Sequence, residues 1–290
     1  MIIDAHLHLW KVQNGAVHGK RVHGIGGGVS DFGGELRQMM PPYILDNENT
    51  AEILISNMNY ACVSGAVVTQ EYIDGNQDNY LLKANQKYQN RLKICSLYEE
   101  HQDFLTDGFD GVKICAGRLK NQDLTAIAEV FKRIESENKF LSIDLAEGDI
   151  QTGSMQEIIE HCPNLKIAIG HFGMVTTKKW QEQIRLAQNK NVFIESGGIT
   201  WLFNNEFYPY KGAVIAIKEA AEICGIEKLM WGSDYPRTMT AITYKMSFDF
   251  VLKSKELSGR EKALFLGETA FKFYEFQKLP QLSYVKNMVE

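Results

Sequence analysis

Two histidines stand close to the amino-terminus, in the segment IDAHLHLW, where His6 and His8 are separated by one residue. The apolar residues around them predict a β-strand, and side chains two apart on a strand point to the same face. Two imidazoles on one face can share a divalent cation or a substrate group. A pair of hydrogen-bonded core histidines is the alternative, and the position at the end of a strand favours the chemical interpretation.

A carboxylate follows another short apolar run near the carboxyl end, in the segment WGSDYP. Asp234 could bind a metal there, take a proton from water, or do both. Aspartate is also common in turns and at helix N-termini, so this residue alone decides nothing. Gly232 and Pro236 predict that the strand stops abruptly at this point.

Eight short apolar runs predict the elements that position these groups. The runs begin at Met1, Ser64, Arg91, Asp110, Lys139, Asn164, Asn191 and Glu227. They are mostly continuous rather than alternating, which is typical of strands buried on both faces. Amphipathic helical segments separate most of them, although the connection from Glu99 to Phe109 is weak. The alternation predicts one α/β chain, a single (β/α)8 TIM barrel over residues 1–290.

The segment from Lys11 to about Asp46 has no strong periodicity. So long a connection is uncommon in a compact barrel unless it is a lid or binding loop. Since barrel sites lie at the carboxyl ends of the strands, we expect a long loop that caps the C-terminal mouth. A disordered insertion is the alternative. His18 and His23 lie in this segment and are predicted to be surface side chains, with contacts of the lid to the pocket as the alternative.

Composition excludes several classes of partner. The formal net charge of −5 gives no electrostatic reason to bind nucleic acid or an anionic membrane. Five widely spaced cysteines in mostly apolar runs predict buried, reduced thiols. The chain begins without a secretory signal, and no run is long enough to cross a bilayer. We therefore expect a cytoplasmic protein with a small-molecule substrate, and homo-oligomerisation stays open.

Four motifs in order carry a resemblance: IDAHLHLW, IGHFG around His171, WGSDYP, and FLGETAFKFY from Phe265. From Ile2 to Tyr274 the chain resembles the amidohydrolase-related family of metal-dependent hydrolases. Within it, the pattern is most similar to the sugar-lactone and 2-pyrone-4,6-dicarboxylate lactonase branch. The resemblance implies a (β/α)8 barrel and, in many members, a single divalent metal ion, often zinc.

Carried over by residue, the resemblance implies that His6 and His8 are metal ligands and that Asp234 is both ligand and general base. His171 would face the substrate or complete the metal shell. Lys113, in GVKI, would be an inward-facing group of the fourth strand that could stabilise an oxyanion. A carbamylated Lys113 between two metals would need histidines on both the fifth and sixth strands, and only the sixth carries one.

The fifth strand departs from many relatives, because KFLSIDLAEG offers Asp144 or Glu147 where they carry a ligating histidine. Some lactonases of the similar branch use no metal. We expect one divalent cation, zinc or manganese, held by His6, His8 and Asp234, and a metal-free reaction is the alternative.

Residues that follow other strands are predicted to contact the substrate: Glu71, Tyr72, Arg118, Trp201 and Arg237. An arginine can clamp a carboxylate with two hydrogen bonds, although a solvated loop arginine is the alternative.

The expected reaction is hydrolysis of a small lactone, of a sugar acid or a carboxylated ring, in which Asp234 activates water. Non-oxidative decarboxylation of an aromatic or enoic acid is one alternative, and the missing fifth-strand histidine argues against it. A non-catalytic metabolite-binding barrel is another, and a base beside paired imidazoles argues against that.

Overall fold

The computed structural model describes residues 1–288, which form two β-sheets surrounded by helices. The strands are β1 (Ile3–His8), β2 (Asn14–Val17), β3 (Lys20–Gly26), β4 (Val29–Phe32), β5 (Leu36–Gln38), β6 (Gly65–Thr69), β7 (Leu92–Leu97), β8 (Gly111–Ile114), β9 (Phe140–Ile143), β10 (Lys166–Ile169), β11 (Val192–Glu195) and β12 (Leu229–Met230). β1 and β6 to β12 pair in chain order, all in parallel. Hydrogen bonds close the ring, from the Ala5 N–H to the Trp231 carbonyl (2.8 Å) and from the Asp234 N–H to the His6 carbonyl (2.9 Å). The predicted (β/α)8 barrel is confirmed.

The helices lie between the barrel strands or beyond the last one. They are α1 (Ala51–Ala61), α2 (Asp78–Tyr88), α3 (Ala128–Ser136), α4 (Thr152–His161), α5 (Trp180–Leu186), α6 (Ile199–Leu202), α7 (Lys211–Cys224), α8 (Met246–Lys253), α9 (Gly259–Ala263) and α10 (Thr269–Phe273). The connection between β7 and β8 contains no α-helix, in agreement with its weak periodicity. Within residues 1–288, no helix combines the length and the apolar character that a membrane span requires.

Two apolar layers hold the barrel together. Side chains on the outer faces of the strands, such as Val68 and Ile194, pack with the buried faces of the helices. Side chains on the inner faces, such as Val67 and Ala168, pack with Phe273 of α10, which covers the amino-terminal end of the barrel. The opposite, carboxyl end is therefore the end left for a site.

A β-bulge in β1 sets the direction of the two histidines. Asp4 pairs with Ala66 and Leu7 with Val68, so three steps on β1 face two steps on β6. Strict alternation would place Asp4, His6 and His8 on one face. The bulge instead leaves Asp4 on the helix side, where it accepts a hydrogen bond from the Tyr244 hydroxyl (2.8 Å), and turns the histidines inward.

The segment after β1 is not the plain loop that its sequence predicts. β2, β3, β4 and β5 form a four-stranded antiparallel sheet. The sheet is tied to the barrel by hydrogen bonds from the Ala16 N–H to the Tyr72 carbonyl (2.9 Å) and from the Asn14 N–H to the Asp74 carbonyl (3.2 Å). Only three of the eighteen residues in these strands are buried, so no apolar periodicity marks this sheet in the sequence.

Candidate active site

A cavity of about 560 Å³ opens at the carboxyl end of the barrel. Its lining includes His8, His18, Met39, Glu71, Cys115, Arg118, Asp144, Glu147, His171, Trp201, Asp234 and Arg237. His18 lies in the turn between β2 and β3, and Met39 directly follows β5, so one end of the antiparallel sheet reaches the mouth of the barrel. The exposed His18, predicted to be a surface side chain, also belongs to this wall.

Three side chains from the first and last strands converge at the bottom of this cavity. The Nε2 atoms of His6 and His8 are 3.2 Å apart, and Asp234 Oδ1 lies 2.9 Å from His8 Nε2 and 3.9 Å from His6 Nε2. Two ligands of a tetrahedral zinc ion with bonds of about 2.0–2.1 Å lie roughly 3.3 Å apart. The spacing of these three atoms therefore suits one small divalent cation.

A buried carboxylate orients the first of these imidazoles. Glu195, at the end of β11, lies with Oε1 2.5 Å from His6 Nδ1, and its other oxygen accepts a hydrogen bond from the Gly197 N–H (2.6 Å). A proton on Nδ1 leaves the lone pair of His6 Nε2 directed at His8 and Asp234. Carboxylate–histidine pairs of this kind are typical of metal sites.

His8 and Asp234 differ in charge. Burial lowers the pKa of His8, and the Arg237 guanidinium lowers it further, so the imidazole is neutral. Burial alone would raise the pKa of Asp234, but the hydrogen bond with His8 and the charge of Arg237 bring it well below its usual range. The second carboxylate oxygen, Oδ2, accepts a hydrogen bond from Trp201 Nε1 (2.8 Å). Asp234 is thus an oriented carboxylate anion.

His171 forms a charged group on the other wall. Its Nδ1 lies 2.9 Å from the Gly197 carbonyl, and its Nε2 lies 3.5 Å from Asp144 Oδ2. Burial alone would lower the pKa of His171, but the Asp144 carboxylate raises it to about 10. Both ring nitrogens then carry protons, so His171 is an imidazolium cation that faces the cavity.

Lys113 lies beneath the cavity and not in its lining. The side chain is fully buried, and Nζ is 2.6 Å from Asp144 Oδ1. Burial alone would lower the pKa of Lys113, but Asp144 raises it above its usual value. The lysine therefore reaches the cavity only through Asp144, the carboxylate that directly follows the fifth barrel strand.

Both predicted arginines line the cavity, and each is already paired. Arg118 Nε lies 2.9 Å from Glu71 Oε1, and a second guanidinium nitrogen donates to Glu71 Oε2 (3.2 Å). Arg237 donates to Asp74 Oδ2 (2.8 Å) and lies 3.6 Å from Asp234 Oδ1. Burial raises the pKa of Asp74, and the contact with Arg237 opposes this shift.

Glycines leave room for these groups. A Cβ atom at Gly170 would lie 2.1 Å from Asp144 Oδ1, and one at Gly232 would lie 2.7 Å from His6 Cβ. These glycines belong to the motifs IGHFG and WGSDYP, so the motifs supply space as well as the polar side chains His171 and Asp234.

The structure brings most of the predicted site residues together. His6, His8, His171, Asp234, Arg118, Arg237, Glu71 and Trp201 meet in or directly beneath the cavity. Tyr72 does not line it, because its hydroxyl donates to the Tyr98 carbonyl (2.9 Å). Sequence reasoning missed Glu195 and Asp74, and the position of Glu195 at the end of the seventh barrel strand was the available signal.

Comparison with known proteins gives one family match. The family model described as amidohydrolase matches residues 3–276. No curated protein matches the chain. Among solved structures, an amidohydrolase from Burkholderia multivorans with bound zinc is similar, with a TM-score of 0.70 and 15% identity over 97% of this chain and 100% of that one.

Two further structures have the same fold. A probable 2-pyrone-4,6-dicarboxylic acid hydrolase from Acinetobacter baumannii, with citric acid bound, has a TM-score of 0.68 and 19% identity, over 95% of this chain and 99% of that one. Amidohydrolase 2 from Bifidobacterium longum subsp. infantis has a TM-score of 0.60 and 17% identity, over 95% and 99%. At these identities the likeness concerns the fold alone.

Proposed function

Because this chain belongs to the amidohydrolase family, we propose that it hydrolyses a small lactone or a related ester-like compound with one bound divalent metal ion. The observation that carries the proposal is the convergence of His6 Nε2, His8 Nε2 and Asp234 Oδ1 within 4.8 Å of one another. Two histidines and one carboxylate are a catalytic zinc set that leaves a position open for water.

The chemistry of the donors supports a metal at this place. Glu195 keeps the His6 proton on Nδ1, and His8 Nδ1 has no hydrogen-bond partner in residues 1–288. Two buried Nε2 atoms that face each other at 3.2 Å suit a shared cation better than a shared proton. When bound, a divalent ion would lower the pKa of a water molecule towards ~7 and polarise a carbonyl.

The residues of the chain divide the remaining work. Asp234 accepts a proton from the attacking water, and Trp201 holds its second oxygen in place. The imidazolium of His171 donates a hydrogen bond to the carbonyl oxygen as negative charge develops there. Lys113 keeps Asp144 ionised, and Asp144 in turn keeps His171 protonated.

Turnover of a panel of lactones tests this function, combined with the zinc content of the purified protein. We expect about one equivalent of zinc, loss of activity on chelation, and recovery when zinc is added. Full activity of a protein that holds less than about a tenth of an equivalent of zinc would refute the metal-dependent reaction. The histidines would then contact the substrate directly. Release of carbon dioxide from a carboxylic acid, with no opening of any lactone, would show that the protein is a decarboxylase and not a lactone hydrolase.

A further inference from the structure

We propose that the cavity accepts uncharged lactones and disfavours carboxylated ones, and that Glu71 sets this preference by occupying Arg118. The inference rests on the proposed lactone hydrolysis and names its substrate class. It assigns to Glu71 the role of a specificity-determining residue, distinct from the groups that act on the reacting bond.

The first support is that each cation at the cavity is held by a carboxylate. The two hydrogen bonds between Arg118 and Glu71 use the guanidinium edge that would otherwise clamp a substrate carboxylate. Arg237 is held by Asp74, which is buried behind it. Both arginines that were predicted to bind a substrate carboxylate are therefore already paired with carboxylates of the protein.

The other two cations share a single partner. His171 and Lys113 both contact Asp144, on opposite oxygens. The contacts with Asp144 hold both side chains in place, and the Lys113 side chain has no exposed surface that a substrate could reach. His171 can still donate a hydrogen bond to a substrate carbonyl oxygen, which carries only a partial charge. A substrate carboxylate at the same place would be repelled by the neighbouring Asp144 carboxylate.

The second support is the balance of charge. Four cationic and six anionic side chains lie in the cavity wall or directly beneath it. The cations are Lys113, Arg118, His171 and Arg237, and the carboxylates are Glu71, Asp74, Asp144, Glu147, Asp234 and Glu195. A divalent ion at the histidine pair would face two of these, Asp234 and Glu195. The remaining four side-chain cations and four carboxylates balance one another. The exposed Glu147 has no ion-pair partner in the described part of the chain, so the side chains of the wall offer a substrate anion one unpaired carboxylate and no unpaired cation.

Glu71→Gln is the variant that tests the role of Glu71, because it keeps the shape of the side chain and releases Arg118 from its ion pair. Glu147→Gln is the matched control, since it removes the same charge from the same cavity and frees no arginine. The double variant Glu71→Gln/Arg118→Gln removes the released cation again. Circular dichroism and thermal melting establish that each variant is folded.

Two measurements are made with each protein, supplied with zinc. The first is kcat/KM for an uncharged polyhydroxy lactone and for a carboxylated lactone of the same ring size. The second is the Kd, by calorimetry, of the two corresponding lactams. In the wild type we expect the uncharged lactam to bind at least about tenfold more tightly than the carboxylated one.

We expect Glu71→Gln to improve both values for the carboxylated compound, relative to the uncharged one, by about tenfold or more, and Glu147→Gln by less than about threefold. The gain should vanish in the double variant. Equal binding of the two lactams by the wild type, no measurable binding of either, or equal gains in the two single variants would overturn the inference. If no lactone is opened but the lactams bind in the expected order, lactone hydrolysis fails and the charge preference stands.

Discussion

The two histidines of the first strand differ in what holds their second nitrogen. His6 Nδ1 is fixed by Glu195, which is itself fixed by the Gly197 N–H. His8 Nδ1 has no such partner in residues 1–288, and the nearest carboxylate oxygen, on Asp74, is 3.9 Å away. His6 is thus oriented before anything binds, whereas His8 is oriented by its contact with Asp234.

Substitution of Asp234 should abolish most of the activity. We expect Asp234→Asn to keep the fold and to lower kcat at least about 100-fold, because it removes a base and weakens a ligand with almost no change of shape. Steady-state kinetics on the best lactone provide the measurement. Asp149→Asn, which changes a carboxylate outside the cavity, is the control, and a near-wild-type rate for Asp234→Asn would make Asp234 structural.

Substitution of Glu195 should act on the metal and not on the shape of the pocket. Glu195→Gln keeps a hydrogen-bond acceptor beside His6 but removes the charge that fixes its proton. We expect the zinc Kd, measured by competition with a chromophoric chelator, to rise about 10- to 100-fold. An unchanged zinc Kd in a folded Glu195→Gln protein would mean that Glu195 serves only to fill the interior.

At the scale of the residue, the sequence predicts what lies within one strand and misses what lies between strands. His6 and His8 are found from their spacing alone. Glu195 contacts His6 across 189 positions, and Asp74 contacts Arg237 across 163. Such pairs depend on which strands become neighbours, and no local pattern records that.

At the scale of the element, the barrel was predictable and the added sheet was not. Each of the eight apolar runs became a barrel strand, because burial on both faces requires continuous apolar sequence. The antiparallel sheet of β2 to β5 is joined by backbone hydrogen bonds, and few of its side chains are buried. The bulge in β1 could not be predicted either, since the sequence of this strand is equally compatible with a regular strand whose side chains alternate between the two faces.

The antiparallel sheet depends on one buried asparagine. The side-chain amide of Asn47 accepts a hydrogen bond from the Gly28 N–H (2.7 Å) and donates one to the Val29 carbonyl (2.6 Å). The backbone carbonyl of Asn47 accepts a hydrogen bond from Trp10 Nε1 (2.8 Å). We expect Asn47→Ala to lose about 2–3 kcal/mol from the attachment of this sheet, because two backbone groups are left without partners.

Hydrogen exchange followed by mass spectrometry measures this effect. Amides of β3 and β4 should exchange faster in Asn47→Ala, whereas those of β8 to β11 should not change. Asn90→Ala, at an exposed turn before β7, is the matched control. Equal exchange in the wild type and Asn47→Ala would show that the barrel holds the sheet without Asn47.

At the scale of the whole molecule, the metal should stabilise the fold that binds it. An ion that binds only the folded chain adds about 2.7 kcal/mol when present at 100 times its Kd. We therefore expect chelation to lower Tm by roughly 5–10 °C and zinc to restore it. Differential scanning calorimetry is the measurement, and a His8→Ala protein should not respond. A wild-type Tm indifferent to zinc would argue against the site.

The closure of the ring has a consequence for the order of assembly. The carboxylate that completes the proposed ligand set is 226 positions from His8, so it arrives only when the last strand pairs with the first. A chain that is still being synthesised holds two histidines without their carboxylate until residue 234 has emerged and the barrel has closed. Such distant contacts form late, after the entropy of the long loop has been lost. Tight uptake of a metal would therefore report that folding is complete.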